Sequence, residues 1–100
     1  MSYEEKYIED AKIYNDIEKR YSIIQENDIK NAFELMKDSL QAYNRWSYIR
    51  MEYRKLLKRG EKTEEKDRLE DMCRYLKEVH TNSRMIWRFG KEDLKNNGDA

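Results

Sequence analysis

Two clusters of basic and aromatic side chains are the residues of this sequence best suited to hold a ligand. Segment 45–59 has six basic residues and one acidic residue. Segment 73–91 has five basic residues and one acidic residue. Cations beside aromatic rings can hold phosphates while a ring stacks on a base, or they can dock on an acidic protein groove. The residues expected to contact such a partner are Arg45, Trp46, Arg50, Arg54, Lys58, Arg84, Trp87 and Arg88.

The spacing of the first cluster places its cations in a row. Arg50, Arg54 and Lys58 are four residues apart, so on a helix they lie one above another on one face. Three explanations of such a row remain open: a protein partner, a nucleic acid, or neutralisation within the chain. The last is possible because residues 1–28 contain eight acidic and four basic side chains.

Residue types that perform catalysis are scarce. The single histidine, His80, and the single cysteine, Cys73, are seven residues apart, which is about 10 Å on a helix. They therefore cannot share a metal ion or form a nucleophile–base pair, and the sequence contains no phosphate-binding glycine motif. We interpret Cys73 as a small core residue and His80 as a solvated or seam-edge histidine.

The many carboxylates also favour a structural interpretation. The acidic residues of 61–71 alternate with Lys62, Lys66 and Arg68 at a predicted helix N-terminus, where they suit the helix dipole. Catalytic acid pairs need a shielded pocket that separates their pKa values. We expect no enzyme activity, no cofactor and no metal site.

Composition narrows the class of protein. The chain has 100 residues, no proline and three glycines, and its 21 basic residues equal its 21 acidic ones. Balanced charge argues against a general nucleic-acid binder or an acidic DNA mimic.

No apolar run approaches the roughly twenty residues of a membrane span, and the acidic start lacks the apolar core of a secretory signal. A lone cysteine fits a reducing cytoplasm, and 37 Lys, Ile, Asn, Tyr and Phe residues are typical of AT-rich bacterial or phage genomes.

The positions of capping and apolar residues predict three helices. Ser2 and Glu5 form a capping box that starts a helix over about 3–26, with Tyr7, Tyr14 and Tyr21 one heptad apart on its apolar face. The apolar phase slips at 26–28, which predicts a break there. Helices over 28–59 and 63–89 follow.

A turn around Gly60 is predicted to fold the last two helices into an antiparallel hairpin. Gly60 follows a cationic last turn and precedes Thr63, a suitable N-cap. The apolar series Phe33, Met36, Leu40 and Tyr43 continues through Trp46 and Ile49, and it is expected to face the third helix, with Phe33 opposite Phe89. Gly90 is expected to end that helix, leaving 91–100 as a flexible tail.

The sequence therefore predicts one all-α domain over 1–90: a long, coiled-coil-like antiparallel hairpin with an N-terminal helix beside it, which oligomerisation would complete. We expect a non-enzymatic cytoplasmic protein that binds another protein, as an adaptor, assembly factor or inhibitor. The alternative is a nucleic-acid-binding protein that uses the basic and aromatic faces of the second and third helices.

We also expect self-association, because a thin hairpin cannot cover the apolar stripes of three helices. Light scattering at high protein concentration should give a mass above the 12.4 kDa of one chain. A mass of one chain at every concentration would contradict this prediction.

Overall fold

The chain forms an all-helical hairpin with a shorter helical segment packed along it. The structure is a computed structural model that describes the backbone of residues 2–98 and the side chains of 2–92. Its helices are α1 Tyr3–Lys6, α2 Ile8–Ile23, α3 Ile29–Leu56 and α4 Glu64–Gly98. No strand occurs among these residues, and the molecule measures 61 × 24 × 16 Å. The predicted all-α hairpin with an N-terminal helix is confirmed.

The predicted first helix is divided in two at Tyr7. The Ser2 hydroxyl accepts a hydrogen bond from the backbone N–H of Glu5, as the capping box requires. Tyr7 leaves helical geometry, with φ −115° and ψ 61°, yet its N–H donates to the Tyr3 carbonyl and its own carbonyl accepts from Ala11. The first bond belongs to α1 and the second to α2, so Tyr7 ends one helix and begins the next, and α2 ends at Ile23.

The connections on either side of α3 follow the capping signals. Asp28 caps α3 by accepting from the backbone N–H of Asn31, so the phase slip at 26–28 is a turn. Gly60 has φ +79°, a left-handed conformation that glycine adopts without steric cost. The Thr63 hydroxyl accepts from the N–H of Lys66 at 3.0 Å and caps α4.

The seam between α3 and α4 differs from the predicted one. Its α3 residues are spaced alternately by three and four, as in a heptad repeat, and they are Ala32, Leu35, Ser39, Ala42, Trp46 and Ile49. They pack with Leu69, Met72, Leu76, Val79 and Ser83 of α4 into the core. Phe33 and Leu40, expected in this seam, are 36% and 44% exposed. The small seam residues Ala32, Ser39 and Ala42 stand beside the larger Leu35, Trp46 and Ile49, and the small side chains allow the two helices to approach closely at those positions.

Gly90 does not end α4, contrary to its predicted role as a cap. It lies inside the helix, which continues to Gly98. Residues 91–98 therefore have a helical backbone, while the flexibility expected for this tail stays a prediction; positions 99–100 lie outside the described residues. A Cβ atom on Gly90 would stand 2.4 Å from Cγ1 of Ile29. The glycine is therefore a point of close contact between the helices.

The α2 helix covers only one side of the hairpin. Tyr14 and Ile17 enter the core, the ring of Tyr14 packs on Tyr75 at 5.7 Å between centroids, and burial raises the pKa of Tyr14 to about 12. At the far end of α2, Asn82 donates to the Tyr21 hydroxyl at 2.7 Å. The opposite side of the α3/α4 pair has no covering helix in the described chain.

No helix of the described residues combines the length and the apolar character that crossing a bilayer requires.

The contact at Gly90 leads to a prediction on stability. Gly90→Ala should lower the free energy of unfolding by about 1 kcal/mol, since overpacking costs ~1–3 kcal/mol and better helix propensity returns ~1 kcal/mol. In an Ile29→Ala background the same substitution should be neutral or stabilising. Urea denaturation of the four proteins in this cycle measures the effect. Stabilisation by Gly90→Ala in the otherwise unchanged protein would show that the helices are not in close contact there.

Candidate functional site

The side of the hairpin turned away from α2 is the candidate site, and we call it the open face. On α3, residues 38, 45 and 46 contact α2, so positions about half a turn away point to the other side. Cross-hairpin contacts mark that side: the rings of Phe33 and Trp87 pack against each other with centroids 5.4 Å apart, and Nδ1 of His80 lies 2.8 Å from the Met36 carbonyl oxygen. The face comprises Phe33, Met36, Leu40, Tyr43, Arg50, Arg54, Cys73, Lys77, His80, Arg84, Trp87, Arg88 and Lys91.

Two clefts lie on the open face, and both are basic. The first, about 360 Å³, lies towards the hairpin turn and is lined by Tyr43, Arg50, Arg54, Glu70, Cys73, Arg74 and Lys77. The second, about 330 Å³, lies towards the C-terminal end of α4 and is lined by Arg84, Trp87, Arg88, Lys91 and Glu92. Seven cationic and two anionic side chains therefore line the two clefts.

An apolar ridge on α3 runs beside these cations. Phe33 and Leu40 are two turns apart and both are exposed, while Met36 and Tyr43 are half-buried. At the Phe33 end, Lys37 lies 5.0 Å from the ring centroid of Phe33, and Lys91 lies 4.7 Å from that of Trp87. The open face thus has an apolar centre with a cationic border.

The acidic N-terminal helices neutralise a different set of arginines. Asp10 pairs with Arg45 at 3.1 Å, and Glu4 pairs with Arg68 at 2.6 Å. Among the described residues, no ion pair joins α1 or α2 to a cation of the open face. Of the eight predicted contact residues, internal neutralisation by the acidic segment therefore accounts only for Arg45.

Three of the eight predicted contact residues do not lie on the open face: Arg45, Trp46 and Lys58, the last of which is in the turn after α3. Trp46 is completely buried, and its Nε1–H donates to the Asp10 carbonyl oxygen at 3.3 Å. Trp46 therefore belongs to the core, and a partner could not reach its ring. Arg45 lies against α2, with its guanidinium over the rings of Tyr7 and Tyr48.

The predicted contact residues other than Arg45 and Trp46 fall at separate places along the hairpin. Arg84, Trp87 and Arg88 lie together at the second cleft, and Arg50 and Arg54 lie at the first. Lys58 is exposed in the turn beyond the end of α3. The structure thus divides the predicted basic row into a cleft and an isolated turn residue.

Sequence analysis missed the apolar half of the face. Phe33, Leu40 and Tyr43 were assigned to the seam because their spacing of three and four fits any helical stripe. The seam residues Ala32, Ser39 and Ala42 have the same spacing, one position away. The sequence of α3 contains two neighbouring stripes of apolar or small residues, and this pattern could have indicated that the helix has two apolar sides.

Two titratable groups of the first cleft have shifted pKa values. Burial raises the pKa of the Cys73 thiol, although Arg50 and Arg54 oppose the shift, so the thiol is neutral and not an activated nucleophile. The Arg54 guanidinium, hydrogen-bonded to Glu70, lowers the pKa of that carboxyl, with Lys66 and Arg50 adding to the effect. Within the described part of the chain, no three His, Cys, Asp or Glu residues are grouped to hold a metal ion.

Comparison of the chain with protein-family models, with curated proteins and with solved structures finds no match. We therefore infer the function from the residues of the open face.

The two tryptophans test the charge and exposure of this face. Fluorescence of the half-buried Trp87 should be quenched by iodide more strongly than by caesium, because cations surround its ring. Trp87→Phe should remove this difference and leave the emission of Trp46 protected from both ions. Equal quenching by the two ions, or strong quenching that survives Trp87→Phe, would contradict the placement of these residues.

Proposed function

We propose that the protein is a non-enzymatic binding module that holds an acidic surface of another protein on its open face. The observation that carries the proposal is the apolar ridge of Phe33 and Leu40, exposed beside two basic clefts and uncovered by α2. An adaptor, assembly factor or inhibitor would act through such a face.

The chemistry of the face favours an acidic amphipathic helix as the partner element. The spacing of Phe33 and Leu40 spans two helical turns. Apolar side chains on one side of a partner helix would lie on this ridge, and flanking carboxylates would meet Arg84 and Arg88 on one side of it. Apolar contact supplies affinity, while the charges orient the partner and speed its association.

Nucleic acid is the less favoured ligand. The seven cleft cations would follow a phosphate backbone, but the aliphatic residues of the ridge, Leu40 and Met36, would have no role in such a complex. The rings of Phe33 and Trp87 contact each other in a tilted arrangement, and Lys37 and Lys91 lie over them. A protein partner uses both the ridge and the cations.

A second copy of the chain is also a poor fit to the open face. A symmetric pairing through this face would bring two sets of cations together, and a head-to-tail pairing onto α2 would give a ring or an open filament instead of a two-fold dimer. The predicted self-association is better suited to the groove lined by Met85, Phe89 and Gly90, where Glu26 is the one charged residue. That surface could pair about a two-fold axis without large like-charge repulsion.

Site-specific photo-cross-linking in cells tests the proposed function. A benzophenone side chain at Leu40 should capture a protein that carries an acidic segment, and the same group at Ile13 should not. Leu40 and Ile13 are matched controls because they are 44% and 49% exposed on opposite sides of the molecule. Arg84→Glu with Arg88→Glu should lower the Leu40 cross-link at least about tenfold, whereas Lys12→Glu with Lys19→Glu, the same charge change on α2, should not.

Three results would contradict the proposal. Equal capture from Leu40 and Ile13 would mean that the open face has no special role. A product sensitive to nuclease, together with salt-dependent binding of short DNA or RNA that Arg50→Glu with Arg54→Glu removes, would identify nucleic acid as the ligand. A cross-linked product of twice the chain mass would identify a second copy.

A further inference from the structure

The first cleft of the open face brings together four basic side chains from two helices. Arg50 and Arg54 come from α3, and Arg74 and Lys77 come from α4. The cleft holds about 360 Å³, enough for a small anionic group together with its hydration. Glu70 is the one carboxylate among its lining residues.

The charges of this cleft are only partly balanced. Nη2 of Arg54 lies 2.5 Å from Oε1 of Glu70, and Nη1 of Arg74 lies 3.1 Å from Oδ1 of Asp71. Arg50 donates only to a neutral group, the Ser47 hydroxyl, at 3.3 Å. Lys77 makes no ion pair with any described residue. Four cations and two carboxylates leave a local charge of about +2.

The floor of the cleft strengthens the attraction for an anion. It consists of the buried, neutral thiol of Cys73 and the half-buried ring of Tyr43. Neither group adds negative charge, and both reduce the water around the cations. Arg50 is half-buried beside these neutral groups, so its charge is less screened by water than that of an exposed side chain, while Lys77 is exposed.

We propose that this cleft binds a phosphoryl group carried by a side chain of the partner protein, a refinement that depends on the proposed function. A phosphorylated side chain carries about −1.5 to −2 charges at pH 7, which matches the unbalanced charge of the cleft. Its three oxygens can accept hydrogen bonds from Arg50, Lys77 and Arg74, which approach from two helices. A carboxylate has one charge and two oxygens, so it leaves one cation unpaired.

Titration followed by amide NMR tests the cleft without knowledge of the partner. The probes are N-acetyl-phosphoserine amide, its glutamate counterpart, N-acetylglutamate amide, and inorganic phosphate. The phosphoserine probe and inorganic phosphate should shift amides of residues 43–54 and 70–77, and the phosphoserine probe should bind at least about tenfold more tightly than the glutamate probe. Compared with the unchanged protein, Arg50→Gln with Lys77→Gln should bind the phosphoserine probe about tenfold or more weakly.

The matched control is Lys12→Gln with Lys19→Gln, which removes the same charge from α2 and should leave binding unchanged. Preserved amide spectra show that each variant is folded. Equal binding of the glutamate and phosphoserine probes, shifts outside the cleft, or no effect of the Arg50 and Lys77 substitutions would overturn the proposal.

Different experiments would contradict the proposed binding module and the proposed phosphoryl subsite. The cross-link at Leu40 and its loss on reversal of Arg84 and Arg88 do not involve Arg50 or Lys77. A positive cross-link with a negative titration would retain the binding module and reject the phosphoryl subsite. Amide shifts spread along the whole open face, with short duplex DNA binding more tightly than the phosphoserine probe, would reject the subsite in favour of a phosphate backbone.

Discussion

The close contact between α3 and α4 determines what the rest of the surface can do. Gly90 leaves no room for a side chain beside Ile29, and Ser39, Ala42 and Ser83 keep the seam narrow further along. The seam takes one apolar stripe of α3, which includes the small Ala32, Ser39 and Ala42, and leaves the neighbouring apolar stripe outside it. Phe33 and Leu40 are exposed for this reason, and they form the ridge on which the proposed function depends.

Charge is separated by the same architecture. The acidic segment packs on one side of the hairpin and pairs with Arg45 and Arg68, while the cations of the open face stay on the other. A formal net charge of zero thus combines an acidic side and a basic side about 20 Å apart, judged from the thickness of two helix layers. Electrostatic attraction can orient a partner before contact even though the whole molecule is neutral.

Local signals predicted most of the fold. The Ser2 capping box, the left-handed Gly60 and the Thr63 cap act within a few residues, so their outcome does not depend on packing. The stripe of Tyr14 and Ile17 on α2 was also predicted correctly. What failed was the choice between neighbouring stripes on α3, because the hydrophobicity of Phe33 and Leu40 outweighs that of Ala32 and Ser39 in any sequence pattern. The helix approach that favours small residues is a tertiary property.

The candidate site was predictable to a smaller degree. The charges of Arg50, Arg54, Arg84 and Arg88 lie on the open face, which we propose as the site. Trp46 was misplaced because an aromatic residue among arginines has the same pattern in a core and at a surface. The role of Gly90 inside α4 is to make room for Ile29, which lies sixty-one positions earlier in the chain. Contacts over such separations are not encoded in local spacing.

The contacts of the first residues with α4 have a consequence for the order of assembly. The backbone N–H of Tyr3 donates to Oε1 of Glu65 at 2.8 Å across 62 positions of the chain, while the hairpin closes through a turn of a few residues at Gly60. Closing the long loop costs more chain entropy than closing the short one. The turn at 24–28, which lays α2 on α3, is as short as the hairpin turn, so both of these steps have a low entropic cost. We therefore expect the contact of α1 with α4 to form last, after both turns have brought the first residues close to Glu65.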